Sequence, residues 1–284
     1  MLSWKVGRRT LPVRGACASD VYFAEVYNRT GVPERPLPIE HADLSLLGNR
    51  EENQDRVAIA IDDGAAFLAV VDGMGGHADG ARAAEVAIRT MVGEFWDASR
   101  PLFDPDGFLH LTVGRAHEAV VALGRGLPPE IRPRATCAAC IVQGPNAYWV
   151  HVGDSRVYLL RGGQVVERTR DHSHVELLLR AGRITELQAH DHPMRNYVEC
   201  CIGGDPALPE MSLGGRRPLL SGDVLLLCSD GLWTGLKDEQ IALLGQAGDR
   251  SLRDTLADLG ARAVQAGAPF ADNTTAAAVR WLGA

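Results

Sequence analysis

The chain has 284 residues, 46% of them hydrophobic and 23% charged, and 29 Lys plus Arg against 36 Asp plus Glu give a net charge of −7. These proportions exclude a disordered chain, a collagen and a multi-span membrane protein, and the acidic balance offers no basic field for a phosphate polymer, so nucleic acid is not an expected partner. Six cysteines, two of them adjacent at Cys200 and Cys201, do not make a disulfide scaffold in a chain this long and point to a reducing cytoplasm.

Arg8 and Arg9 and the "ACA" at 16–18 have no apolar stretch between them, so no signal is expected, and no apolar run is long enough to span a membrane. Residues 1–40 carry Pro12, Pro33, Pro36 and Pro38 and no sustained period, which predicts an irregular N-terminal extension ahead of a domain over 41–284. The short apolar runs "VAIAI" and "FLAVV", separated by "DDGAA", predict a buried hairpin ending at Asp72. Ala84, Ala87, Ile88, Met91, Val92 and Phe95 form one apolar stripe from about Ala81 to Trp96; Leu109, Val113, Ala116, Val120 and Leu123 form a second, stopped by "GLPPE". Both stripes predict amphipathic helices.

The runs "TCAACIV", "AYWVHV", "RVYLLR" and "QVVERT" follow on short turns, which predicts a four-stranded antiparallel meander. Residues 170–204 are polar and His-rich, with candidate N-caps at Ser173 and Thr185, and predict a flap lying over the sheet. "DVLLLCSD" is another buried strand; a helix carrying Leu252, Leu256, Leu259 and Ala263 then precedes a last strand, "TTAAAVRW". Helices that arrive in pairs between strands argue for an α+β fold and against a doubly wound parallel sheet.

The acids sit at strand ends. Asp72 follows "FLAVV", Asp154 lies in the turn after "YWVHV", Asp230 follows "VLLLCS" and Asp272 precedes the last strand. Taken singly, Asp beside Gly is ordinary turn chemistry. Together, carboxylates gathered at the mouths of buried strands would repel one another unless divalent cations neutralise them, and oxygen-only ligation favours Mg²⁺ or Mn²⁺.

In these residues the chain resembles the metal-dependent serine/threonine protein phosphatases of the type 2C kind, the bacterial members especially. The resemblance is carried from about Leu47 to Trp281 by "GNREENQDR", "VVDGMGGH", "HVGDSRVYLLRGG", "TRDHSHVELLLRAGRIT", "HPMRN", "GDVLLLCSDGLW" and "DNTT", seven blocks in the family's order. It implies two packed antiparallel sheets flanked by helix pairs, an α-β-β-α sandwich, with two Mn²⁺ or Mg²⁺ ions at one end and a third, weaker site. By position, Asp72 resembles the carboxylate bridging both metals and Gly73 the backbone carbonyl on the second. Asp230 and Asp272 resemble ligands of the first metal, Asp55 an outer-sphere ligand through water, and Asp154 the partner of Asp230 at the third site. Arg50 resembles the phosphate anchor. The implied reaction is hydrolysis of phosphoserine and phosphothreonine on proteins by a metal-activated water, opposing a bacterial serine/threonine kinase.

Three departures stand beside the resemblance. Met74 occupies the place where eukaryotic relatives have a His, leaving His77 as a distant candidate acid; Gln54 stands where they have a Glu; and "RATC" at 134–137 replaces a Gly-Thr-Thr triplet, putting an Ala methyl where a Gly leaves space. A pseudophosphatase that binds phosphoproteins without turnover, and hydrolysis of small phosphoesters, are the alternatives within the fold. Outside it, "GMGGHA" fits the dinucleotide pattern G-x-G-x-x-A, but no ribose-binding acid closes a second parallel strand, since Glu94 falls within a helical stripe. Cys137 and Cys140 read as core residues, and His172, His174, His190, Asp191 and His192 as parts of the flap in preference to a zinc site.

Overall fold

The computed structural model describes residues 25–28, 36–62, 64–74, 79–190, 192–246, 248 and 250–283. Strands β1 (Glu25–Asn28), β2 (Ile39–Leu46), β3 (Asp55–Asp62) and β4 (Ala65–Met74) lead into two long helices, α1 (Asp79–Asp97) and α2 (Pro105–Leu123). β5 (Arg134–Gln143), β6 (Asn146–Val152), β7 (Arg156–Arg161) and β8 (Gln164–Arg168) follow, then α3 (His174–Arg180) and α4 (Glu186–His190). Three short strands, β9 (Ile202–Gly203), β10 (Ser212–Leu213) and β11 (Arg217–Pro218), precede β12 (Val224–Cys228), the helices α5 (Asp230–Trp233), α6 (Asp238–Ala242) and α7 (Leu252–Gly267), and β13 (Thr274–Trp281).

Two sheets result. One runs β1-β3-β4-β5-β6-β10, with β9 added beside β5 and β11 beside β6; the other runs β2-β13-β12-β7-β8. Every pairing is antiparallel except β1 with β3. The strand alternation sorts the core into three layers. Phe67, Ala69 and Val71 of β4 meet Met91 and Phe95 of α1 and Leu109 and Val113 of α2. Leu68 and Val70 of the same strand point the other way, onto Leu225 and Leu227 of β12 and Ala277 and Val279 of β13. Beyond the second sheet, Leu226 and Leu160 pack on Leu252, Leu256 and Leu259 of α7. The α-β-β-α sandwich and the helical stripes stand as the sequence predicts. Cys137 and Cys140 are buried on opposite faces of β5, in different layers, as core residues.

The meander does not hold as predicted. β5 pairs with β6 and β7 with β8, but β7 leaves the first sheet and pairs with β12 along its length, Arg156 to Leu160 against Cys228 to Val224. β7 buries apolar side chains on both faces, Val157 and Leu159 inward, Tyr158 and Leu160 outward, so it needs cover on both sides and finds it in the second sheet. The crossing takes place in the turn "GDS". Gly153 has φ +93° there, and a Cβ on it would lie 2.5 Å from Thr136 Cγ2.

Three further differences concern the ends. The segment read as irregular over 1–40 supplies β1, parallel to Ala58–Ile61, and the first two residues of β2; most of the rest of that segment lies outside the described residues. Glu40 earns its place in β2 by accepting from Leu252 N and Arg280 Nη1, each at 2.6 Å. β4 runs two residues past Asp72, pairing Gly73 and Met74 with Ala135 and Arg134. The dinucleotide reading fails because β4 is antiparallel to both of its neighbours, where that motif needs a parallel sheet.

Because Gly153 combines a left-handed backbone with contact to Thr136, Gly153→Ala is expected to cost roughly 2–4 kcal/mol of stability in urea unfolding. A variant as stable as the parent would contradict this account of the crossing.

Candidate metal centre

All the strands that carry the predicted acids open at one end of the sandwich. β3, β7 and β13 begin there and β4 and β12 end there, as the registers Asp55↔Asp72, Cys228↔Arg156 and Cys228↔Ala276 require. Asp55 and Asp72 are direct cross-strand partners on the face that looks into the gap between the sheets, in phase with Val57 and Val70. Like charges directly opposite on one face destabilise a sheet. Asp230 opens α5 immediately beyond β12, Asp272 precedes β13, and Asp154 is buried in the crossing turn.

Close backbone approach holds these pieces in place. A Cβ on Gly73 would stand 2.1 Å from the Gly80 carbonyl oxygen, and one on Gly231 would stand 2.1 Å from that of Asn273. Either methyl would push apart a strand end and the turn resting on it. Asn273 itself ties the start of β13 to three points of the β2–β3 loop. Its Oδ1 accepts from Gln54 N at 2.8 Å, and its Nδ2 donates to the carbonyls of Leu47 and Glu52 at 2.9 and 3.1 Å.

The electrostatics are those of crowded acids. Burial, then the fields of Asp55, Asp230, Asp154 and Asp272, hold the Asp72 carboxyl well above the usual carboxylate range. Burial followed by Asp154 and Asp272 does the same to Asp230. Asp55 is pushed up to about 7 by burial, against the opposing hydrogen bonds from Ser229 and Thr275. Asp154 is pushed up to about 7 by burial and then by Asp171. Two guanidinium groups answer parts of this field: Arg50 Nη2 lies 2.6 Å from Asp272 Oδ2 and also senses Asp230 and Asp72, and Arg156 acts on Asp154.

Among the described residues no three His, Cys, Asp or Glu side chains close on a single point; the carboxylates share a field in place of a finished cage. Their chemistry nonetheless fits a divalent-cation centre. The donors are all oxygen, the five acids outnumber Arg50 and Arg156 that act on them, and the Asp55–Asp72 pair is unfavourable unless positive charge is added.

The other predicted residues fall into supporting places. The "RATC" segment lines β5, with Ala135 opposite Gly73 and Thr136 opposite Asp72 in register, and Thr136 Oγ1 lies 2.7 Å from Ser155 Oγ. His172 is structural: its Nδ1 accepts from Gly153 N at 3.3 Å and its Nε2 lies 2.8 Å from Ser212 Oγ. His174 pairs with Glu199 at 2.9 Å. The flap over 170–204 thus hangs from the Asp154 turn and returns to the sheet through β9, where Ile202 and Gly203 pair with Ala135 and Arg134. Ser173 caps α3 and Thr185 accepts from Gln188 N, as predicted. Gly75 to Ala78 and Asp191, with the expectations placed on His77 and Asp191, lie outside the described residues.

Sequence reasoning missed the residues that hold the acids. Asn53, Ser229, Asn273, Arg156 and Trp233 all lie inside quoted motifs, but without roles. Arg156 forks onto Asp171 at 2.8 and 2.7 Å, its guanidinium lies 3.5 Å over the Trp233 ring, and Trp233 Nε1 donates to the Asp154 carbonyl at 3.0 Å. An Arg opening the apolar run "RVYLL", two residues beyond a turn Asp, was the available signal.

Without metal, the carboxyls of Asp55 and Asp154 stay protonated in the folded chain up to about pH 7, against an ordinary 3.8. Their contribution to stability is complete below 3.8 and is lost as pH rises through about 7. Buried His151, held down to about 4 from an ordinary 6.5, acts in the opposite sense only below 6.5. In chelator, the melting temperature is therefore expected to fall as pH rises from about 6.5 to about 7.5 and to level off above that, and to fall less in Asp154→Asn. A rise over that range would contradict the crowded-acid reading.

Comparison with known proteins gives a consistent result. Residues 45–268 match the family model described as Protein phosphatase 2C. The serine/threonine protein phosphatase PstP of Mycobacterium tuberculosis is 36% identical over 193 residues, 68% of this chain and 36% of the relative, so the chain spans about a third of that relative's length. The crystal structure of the PstP catalytic domain in complex with two manganese ions superimposes with a TM-score of 0.72 at 31% identity, covering 86% of this chain and 99% of that one. The serine/threonine phosphatase of S. agalactiae gives 0.77 at 30% identity, covering 86% and 100%.

Proposed function

Because the chain belongs to the protein phosphatase 2C family, we propose that it hydrolyses phosphoserine and phosphothreonine on proteins with two Mn²⁺ or Mg²⁺ ions. When bound, such ions act as Lewis acids and bring the pKa of water toward neutrality. Asp72, Asp230, Asp272 and the Gly73 carbonyl would hold them, with Asp55 acting through water and Asp154 joining Asp230 at a third, weaker site.

Arg50 is the group of this chain that would meet the substrate. Its side chain is 56% exposed at the rim and is engaged at one nitrogen by Asp272. The remaining donors of the planar fork are available for two phosphoryl oxygens, whose charge grows as the bond to the leaving group breaks. Asp272 orients that fork. Met74 supplies no proton, so no acid of the chain is assigned to the leaving group.

The observation that carries this reading is the convergence of five carboxylates from separate chain segments on one sandwich end, with Arg50 at its rim. The manganese-bound PstP domain supports it by likeness of fold. The activity is proposed for residues 41–284, with 1–40 as a partner-recognition segment, phosphoproteins made by a serine/threonine kinase as substrates, and the cytoplasm as the setting. No described helix is long and apolar enough to cross a membrane.

Phosphate release from a phosphothreonine peptide, followed with Mn²⁺, with Mg²⁺ and after chelation, tests the proposal. Release is expected to require metal and to drop at least about a hundredfold in Asp72→Asn and Asp230→Ala. Folded protein that binds Mn²⁺ without releasing phosphate would favour the pseudophosphatase reading. Undiminished rates in the variants would overturn the mechanism.

A further inference from the structure

Asp55 belongs to the first sheet, but the groups that hold its carboxylate belong to the second. Ser229 Oγ donates to Asp55 Oδ2 at 2.7 Å, and both residues are almost completely buried. A hydroxyl has one proton, and its direction can be read from what the oxygen accepts. Ser229 Oγ accepts from Thr275 N at 3.0 Å, while Ser229 N donates to the Thr275 carbonyl at 2.9 Å. The short contact to Asp55 therefore uses the Ser229 proton, the remaining carbonyl contacts of Oγ being longer, at 3.4 and 3.5 Å.

Behind Ser229 stands a second buried line. Asn53 Oδ1 accepts from Asp55 N at 3.0 Å, Asn53 Nδ2 donates to Ser45 Oγ at 3.0 Å, and Ser45 Oγ lies 2.9 Å from Thr275 Oγ1. The Thr275 hydroxyl also acts on the Asp55 carboxylate. The line thus runs from the Asp55 backbone through Asn53 and Ser45 to Thr275, whose N–H donates to Ser229 Oγ. Every group in it is buried and partnered, the condition under which such a network fixes one geometry.

On the metal-centre reading above, we propose that Ser229 is a positioning residue for the reaction, clamping Asp55 across the gap between the sheets so that its free lone pairs face the cation site. Ser229 immediately precedes Asp230, so the same residue sets the separation between an acid of each sheet. It touches neither substrate nor metal and acts through Asp55. Residues that orient a ligand in this way typically account for ten- to a hundredfold in metal affinity.

The test is a double-mutant cycle on Mn²⁺ affinity, measured by calorimetry on the full chain, with Ser229→Ala, Asp55→Asn and the pair. Ser229→Ala is expected to weaken Mn²⁺ binding at least about tenfold in the parent and less than about threefold in the Asp55→Asn background. Ser229→Cys keeps the branching of the side chain with a larger atom and a weaker donor; it is expected to lose affinity in the same direction, and it carries the test if the alanine variant does not fold. Parental affinity in the folded variants, or an equal loss in both backgrounds, would overturn the clamp. Parental protein that binds no Mn²⁺ would instead overturn the metal-centre reading beneath it.

Discussion

The repulsion between Asp55 and Asp72 is the constraint around which this end of the molecule is arranged. They face each other across one antiparallel pair, on the side of the sheet that looks into the inner core. Asp230, Asp272 and Asp154 arrive from the second sheet and from the turn that joins the two sheets. Burial and mutual field both act against ionisation of Asp55, Asp72, Asp154 and Asp230. A fold that spends buried positions in this way gains only if something positive completes it, and Arg50 on Asp272 completes it in part.

The surrounding fold supplies what a metal centre needs besides ligands. The three apolar layers make the sandwich rigid, and Gly73 and Gly231 allow neighbouring backbone to rest directly on the strand ends that carry the acids. Ser229 holds Asp55 from across the gap, and Asn53 ties the Asp55 backbone to Ser45 and, through it, to Thr275 of the second sheet. Arg156, Asp171 and Trp233 hold the Asp154 turn from outside. The flap starts at that same turn through His172 and Gly153, so the placement of the flap and of Asp154 share their hydrogen bonds.

Much of this was legible in the sequence because periodicity and strand-end acids are local signals. The α1 and α2 stripes, the hairpin of β3 and β4 and the acid positions could be read from neighbours along the chain. Pairing is not local. The same short turn joins strands within a sheet at "QGPN" and between sheets at "GDS", and nothing in the turn itself says that β7 will find β12. β1 and the start of β2 were hidden among prolines, their partners lying in β3 and β13. Ser229 and Asn53 were hidden differently: a Ser or an Asn beside a motif Asp acquires a role only when the second sheet is laid against the first.

Crowded, partly protonated carboxylates at this end of the sandwich are completed by a divalent cation. Calorimetric titration of Mn²⁺ in buffers of different ionisation enthalpy measures the protons displaced on binding. Near pH 6.5, below the value of about 7 that burial gives Asp55 and Asp154, saturable binding should release about one proton or more, and release should shrink as pH rises past about 8. Binding with no proton release at either pH, or no binding at all, would contradict the account.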